Sequence, residues 1–171
     1  MEIQGRIKDG QVIVAPSFGA RKDSQHDLSN LGIAKHIMGI YRIIGLPMIF
    51  QKEVASAFRS LAGGKDAEIV KVIEEDRVKG KRLDTYEVLA QAFEVIKKRG
   101  WNKVILVAHP DHIWRAKKVL EKMRLKVLIP SGLEDIPFDP HSSQWWTRGP
   151  LVWWLLWEIR ARIFYKLKGY I

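Results

Sequence analysis

No cysteine occurs anywhere in the 171 residues, which excludes disulfides, thiolate catalysis and cysteine-ligated zinc. Long apolar runs are missing too. The longest, Leu151 to Trp157, falls well short of the roughly 20 residues a membrane-spanning helix needs. The opening MEIQGRIKDG is polar and lacks the apolar core of a secretory signal, so the expected location is cytoplasmic, with peripheral membrane contact left open. There is no G-x-G-x-x-G fingerprint, no Walker loop and no G-x-S-x-G elbow, which argues against an ordinary NAD enzyme, a P-loop NTPase or a serine hydrolase. No stretch reads as a domain linker, and the length suits one domain, residues 1–171, large enough to bury a core.

Acidic residues are scarce in one part of the chain only. Residues 1–96 hold 14 Lys/Arg and 13 Asp/Glu, whereas residues 97–171 hold 15 and 6, so nearly all of the net charge of +10 lies in the second part. A field of that sign concentrates an anionic ligand or draws the chain to an anionic membrane surface, and a solvated basic surface explains it equally well. The basic residues are interleaved with acids and no recognition motif is visible, which argues against direct nucleic-acid binding.

Apolar runs and helical periods alternate along the chain. Short strands are expected at Gln11–Ala15, Leu46–Phe50, Glu68–Ile73, Val104–Val107 and Leu125–Pro130. Helices between them start at Asp27 or Ser29, at Val54, at Asp84 and at Pro110. Five strand–helix repeats predict an α/β protein, a three-layer αβα Rossmann-like domain with about five mainly parallel strands. Ile3 and Ile7 around Asp9-Gly10 suggest a small N-terminal hairpin or edge strand. Residues 131–150, with three prolines, read as an irregular strap, and 151–167 as a C-terminal, Trp-rich helix.

The stretch Lys103 to Arg115, KVILVAHPDHIWR, is where chemistry is expected. Val104 to Val107 suits a strand buried on both faces. Pro110 and Asp111 suit the first turn of a helix, the proline because its missing N–H costs nothing there and the aspartate because of the dipole. His109, His112 and Arg115 gather at the break, near the free N–H groups of that turn, in a pattern suited to an anion or phosphate. A lone histidine at such a place is as often a cap or a packed ring. His109 and His112 lack a recognised metal-ligand spacing, so no metal is assigned. Ser17, after the first strand, either meets a ligand or caps a turn. Asp84 and Glu87 have the spacing of a capping box, which accounts for both acids locally.

The segment VILVAHPDHIWRAKKVL resembles the strand, H-x-x-R-A, helix signature of the DUF218 family, related to the YdcF and SanA proteins, with His112, Arg115 and Ala116 on its H-x-x-R-A positions. DGQVIVAPS (9–17), DTYE (84–87) and the closing WEIRARIFYKLKGYI are similar to further family landmarks. The opening strand lacks the family's Gly-Gly turn, Arg82 replaces its serine and Val88 its asparagine, which marks a divergent member. The resemblance implies that Thr85 and Glu87 also face the pocket. It implies S-adenosylmethionine or another nucleotide as ligand, and it fixes no reaction, because relatives are linked both to that cofactor and to envelope maintenance.

In the last helix Val152, Leu155, Leu156, Ile159, Ile163 and Leu167 form one apolar stripe and Trp153, Trp157, Ala161, Phe164 and Tyr165 another. Glu158, Arg162 and Lys166 form a polar stripe, with Glu158 and Arg162 placed to pair. A helix so apolar needs partners on two sides. One is the sheet; the other is the strap, a second subunit or a membrane interface. Two functions follow from the sequence. One is binding of a small anionic, nucleotide-like or phosphorylated ligand by His112 and Arg115, with His109, Thr85, Glu87 and Ser17 around it. The other is non-enzymatic docking of the basic C-terminal part on a membrane surface or a partner.

Overall fold

The structure, a computed structural model, describes residues 7–23, 25–63, 68–81, 83–149 and 152–171, with the backbone path alone for 152–157. Five strands form one all-parallel sheet: β1 (Val12–Ala15), β2 (Met48–Gln51), β3 (Ile69–Ile73), β4 (Lys103–Leu106) and β5 (Lys126–Leu128), in the order β3-β2-β1-β4-β5. The α/β, Rossmann-like expectation holds. Every residue of β1 is buried, and the Val104–Leu106 stretch of β4 is too. That is the reason both read as continuous apolar runs without alternation. β3, at the sheet edge, is only partly covered.

Helices alternate with the strands: α1 (Leu28–Ile44), α2 (Lys52–Ala62), α3 (Thr85–Lys98) and α4 (Pro110–Lys122). α1 packs on α2, and α3 on α4. With right-handed crossovers the two pairs cover opposite faces, because the chain walks outward from β1 to β3 and then returns to the other side of β1 at β4. The caps are those the sequence encodes. The Asp27 carboxylate accepts from the Ser29 amide, Asp84 accepts from the Glu87 amide, and Gly45 ends α1 with φ of 58°.

One expectation differs in detail, and another falls outside the described side chains. Residues Ile7–Asp9 form a 3-10 turn, and no strand precedes β1 among the described residues; Ile3, half of the expected hairpin, lies outside them. The second apolar stripe of the last helix, α5 (Val152–Leu167), involves Trp153 and Trp157, whose side chains also lie outside the described set.

The strap after β5 is tied down by hydrogen bonds. Asp139, fully buried, accepts from the amides of Leu28 (3.1 Å) and His141 (2.8 Å). Ser143 reaches the Ala20 carbonyl through its amide (2.7 Å) and its hydroxyl (2.8 Å). The strap thus fixes the loop after β1 from outside.

Candidate functional site

β1 and β4 are neighbours, with Val14 opposite Leu106. Successive connections leave this pair in opposite directions, which makes the crevice at their carboxyl ends the switch point of the sheet. The segments leaving both strands build the site. After β1 the Ser17 amide donates to Gln51 Oε1 (3.0 Å), at the end of β2, and the Phe18 amide donates to Asn30 Oδ1 (3.0 Å). The Phe18 ring then lies flat on that of His109, with centroids 3.9 Å apart and planes 5° from parallel.

His109 itself serves the fold. Its Nδ1 caps α4 by accepting from the Asp111 amide (3.3 Å), and its carbonyl accepts from the amides of His112 (2.9 Å) and Ile113 (3.0 Å). The first-turn donors expected to be open to an anion are therefore satisfied within the chain, and Pro110 has none to offer. With Phe18 on one side and Phe138 4.5 Å away, the imidazole is desolvated. Burial lowers its pKa to about 4, so the ring is neutral at pH 7.

One turn on, His112 is 5% exposed and its Nε2 lies 2.8 Å from Thr85 Oγ1, at the start of α3. Burial first, then the Arg115 charge, then His109, hold its pKa well below the ordinary value. His112 is thus a neutral imidazole beside a hydroxyl. Arg115 pairs through Nη1 with Glu158 of α5 and lies over the Tyr165 ring, 5.5 Å from its centroid. Glu158 also accepts from Arg162 Nε (3.1 Å), as the sequence spacing foretold, and the Arg162 guanidinium stacks 4.2 Å from the Trp114 ring. That guanidinium covers part of the indole, which stays 40% exposed.

These groups surround a cavity of about 380 Å³ lined by Ser17, Thr85, His112 and Arg115, four of the six residues expected at the site. His109 lies behind it as a cap. Glu87 is turned away: its carboxylate takes Arg77 Nε (2.6 Å) and Nη2 (3.0 Å) and the Gln91 amide group (3.0 Å). Glu87 makes no return bond to complete a capping box, because Arg77, in the loop before α3, is the stronger partner. Asp111, Gln51, Glu158, Trp146 and Tyr165 also line the cavity, and none was expected there. Asp111 had a sufficient local role as a first-turn acid, and no periodicity signals that residue 158 reaches residue 115. Burial, and secondarily Glu158, raise the pKa of Asp111. Among the described residues no group of three or more His, Asp or Glu side chains is placed to hold a metal ion.

In chemical terms the cavity offers a guanidinium, hydroxyls at Ser17 and Thr85, a neutral imidazole, and aromatic walls from Trp146, Phe164 and Tyr165. Such a set suits a ligand with one charged end and one flat end.

No family model matches the chain, and no curated protein matches it. Among solved structures the chain is similar to MAR1 ribonuclease from Caenorhabditis elegans, with a TM-score of 0.41 and 12% identity over 70% of this chain. The match spans 62% of that structure's length, and a likeness so distant bears on neither chemistry nor partners.

Proposed function

We propose that the chain binds a small anionic ligand, nucleotide-like or phosphorylated, in the cavity at the switch point of its sheet. The observation that carries this reading is the convergence of Ser17, Thr85, His112 and Arg115, from three separate segments, on one hollow. The anion takes Arg115 in competition with Glu158, and Arg160 lines the same cavity. The flat part of the ligand rests on Trp146, Phe164 or Tyr165, where stacking contributes without a fixed hydrogen-bond pattern. The resemblance of residues 104–120 to the DUF218 signature supports the same two residues, His112 and Arg115, and makes S-adenosylmethionine and other nucleotides the first ligands to try.

Isothermal titration of the full chain with adenosine monophosphate, S-adenosylmethionine, glucose 6-phosphate and inorganic phosphate tests the reading. At least one should bind saturably, and Ser17→Trp, which places an indole in the cavity, should weaken it about tenfold or more, equivalent to about 1.4 kcal/mol. Binding of none of the four, or binding indifferent to Ser17→Trp, overturns the proposal.

A further inference from the structure

Among the described side chains of α5, from Glu158 onward, a carboxylate faces inward and an apolar stripe faces outward. Its inward side carries Glu158, 3% exposed, and Tyr165, 5% exposed. Glu158 holds Arg115, and the Tyr165 hydroxyl accepts from the Tyr86 amide (3.1 Å). Its outward side carries Ile159, Ile163 and Leu167, one above another at successive turns and 47%, 55% and 82% exposed, with Phe164 beside them at 46%. Exposed large apolar side chains scattered singly need no explanation, but a contiguous stripe does. Arg160, Lys166 and Lys168 are exposed around this stripe, Arg160 and Phe164 at the edge where it meets the mouth of the cavity. The one acid among residues 158–171, Glu158, is the buried one.

From this arrangement we infer that the outward face of α5 docks on an anionic lipid surface, the helix lying in the plane of the interface. Charge complementarity selects this occupant over a second copy of the chain. Two copies meeting face to face would set Arg160, Lys166 and Lys168 against their own kind with no exposed acid on the stripe to pair them. Anionic headgroups neutralise all three cations while the acyl boundary takes the isoleucines and the leucine. No described helix is long and apolar enough to cross a membrane, and docking of this kind needs none. Arg115, Trp114 and Tyr86 hold the inner side of α5 in place, so the apolar stripe is presented without unfolding.

Vesicle co-sedimentation of the full chain tests the inference, with phosphatidylcholine vesicles and with vesicles containing about a third phosphatidylserine. The chain should partition onto the anionic vesicles only, and partition should fall as salt is raised. The double variant Ile163→Asp/Leu167→Asp, altered at exposed positions, should keep the wild-type melting temperature and lose at least about tenfold in partition. Equal partition onto neutral vesicles, or binding unaffected by the double variant, overturns the inference. So does a dimer in sedimentation equilibrium that the double variant splits, since the stripe would then be covered by a second copy.

Discussion

At the scale of single residues the two histidines of the motif diverge in role. His109 is a cap and a packed ring; His112 faces the cavity. Both are held neutral by burial, and both have folded pKa values below the unfolded value of about 6.5. The unfolded chain therefore binds more protons in that range. The stability these rings contribute is complete above about pH 6.5 and is lost as pH falls toward about 4, where His109 titrates in the folded state. In His109→Asn the side chain retains capping ability and the titration is gone. Denaturant melts from pH 7 to pH 5 should show a shallower loss for this variant, by about 1 kcal/mol per pH unit on average, toward a limit of about 1.4 kcal/mol per pH unit for one full proton. An unchanged slope would mean that His109 is hydrated.

Glu158 also has two partners of unequal standing. Arg115 has a side chain 14% exposed, Arg162 one 41% exposed. Removing Glu158 by Glu158→Ala strands a largely buried guanidinium and should cost about 3 kcal/mol. Arg162→Ala leaves the Arg115 pair intact and should cost less than about 1 kcal/mol, most of it from the Trp114 stack. Urea denaturation of the two variants reads the difference. Similar costs would place the Arg115 pair in solvent.

At the scale of elements, the loop after β1 and the strap are one assembly packed around Gly19. Its φ is +80°, and a Cβ there would meet Ser142 Oγ at 2.7 Å, Asp27 Oδ2 at 2.8 Å and Thr147 Oγ1 at 2.9 Å. Gly19→Ala should therefore destabilise by about 1–3 kcal/mol and weaken the ligand, because Gly19 lines the cavity. Gly39, exposed inside α1 with no atom within 4 Å of its would-be Cβ, is the control. Gly39→Ala should stabilise by about 0.5–1 kcal/mol. Thermal melts of the pair check both signs.

The elements that could be read ahead of the structure were those with a strong local signal. Asp27, Asp84 and Pro110 mark the helix starts, and the unbroken runs of β1 and β4 mark buried strands. α5 could be located but not oriented. Its apolar residues outnumber its polar ones, so periodicity favours burying the Ile159–Ile163–Leu167 stripe. The fold instead turns Glu158 inward, because Arg115 on α4 offers a buried carboxylate the compensation that solvent otherwise gives. That preference lives in a contact between residues 43 positions apart, which no local pattern carries.

At the scale of the whole molecule, strand–helix alternation was enough to place the loops after β1 and β4 on one rim. That placement brings Ser17, His112 and Arg115 together. Thr85 joins them because α3 starts beside that rim. What alternation cannot convey is the sign of the hollow's lining. The cations of the second half of the chain suggest a plainly positive pocket, yet Asp84, Asp111 and Glu158 line it as well, two of them as acids serving the starts of α3 and α4. An anionic ligand must therefore displace or share Glu158, and that exchange is the account's most exposed point.

A crystal structure of the full chain grown with a saturating concentration of the tightest ligand from the titration tests it directly. The account predicts the ligand's anionic group within about 3 Å of the Arg115 guanidinium, with Glu158 moved off or sharing it and the flat part against Trp146, Phe164 or Tyr165. A ligand bound elsewhere, with Glu158 still on Arg115 and the cavity unaltered, would contradict it.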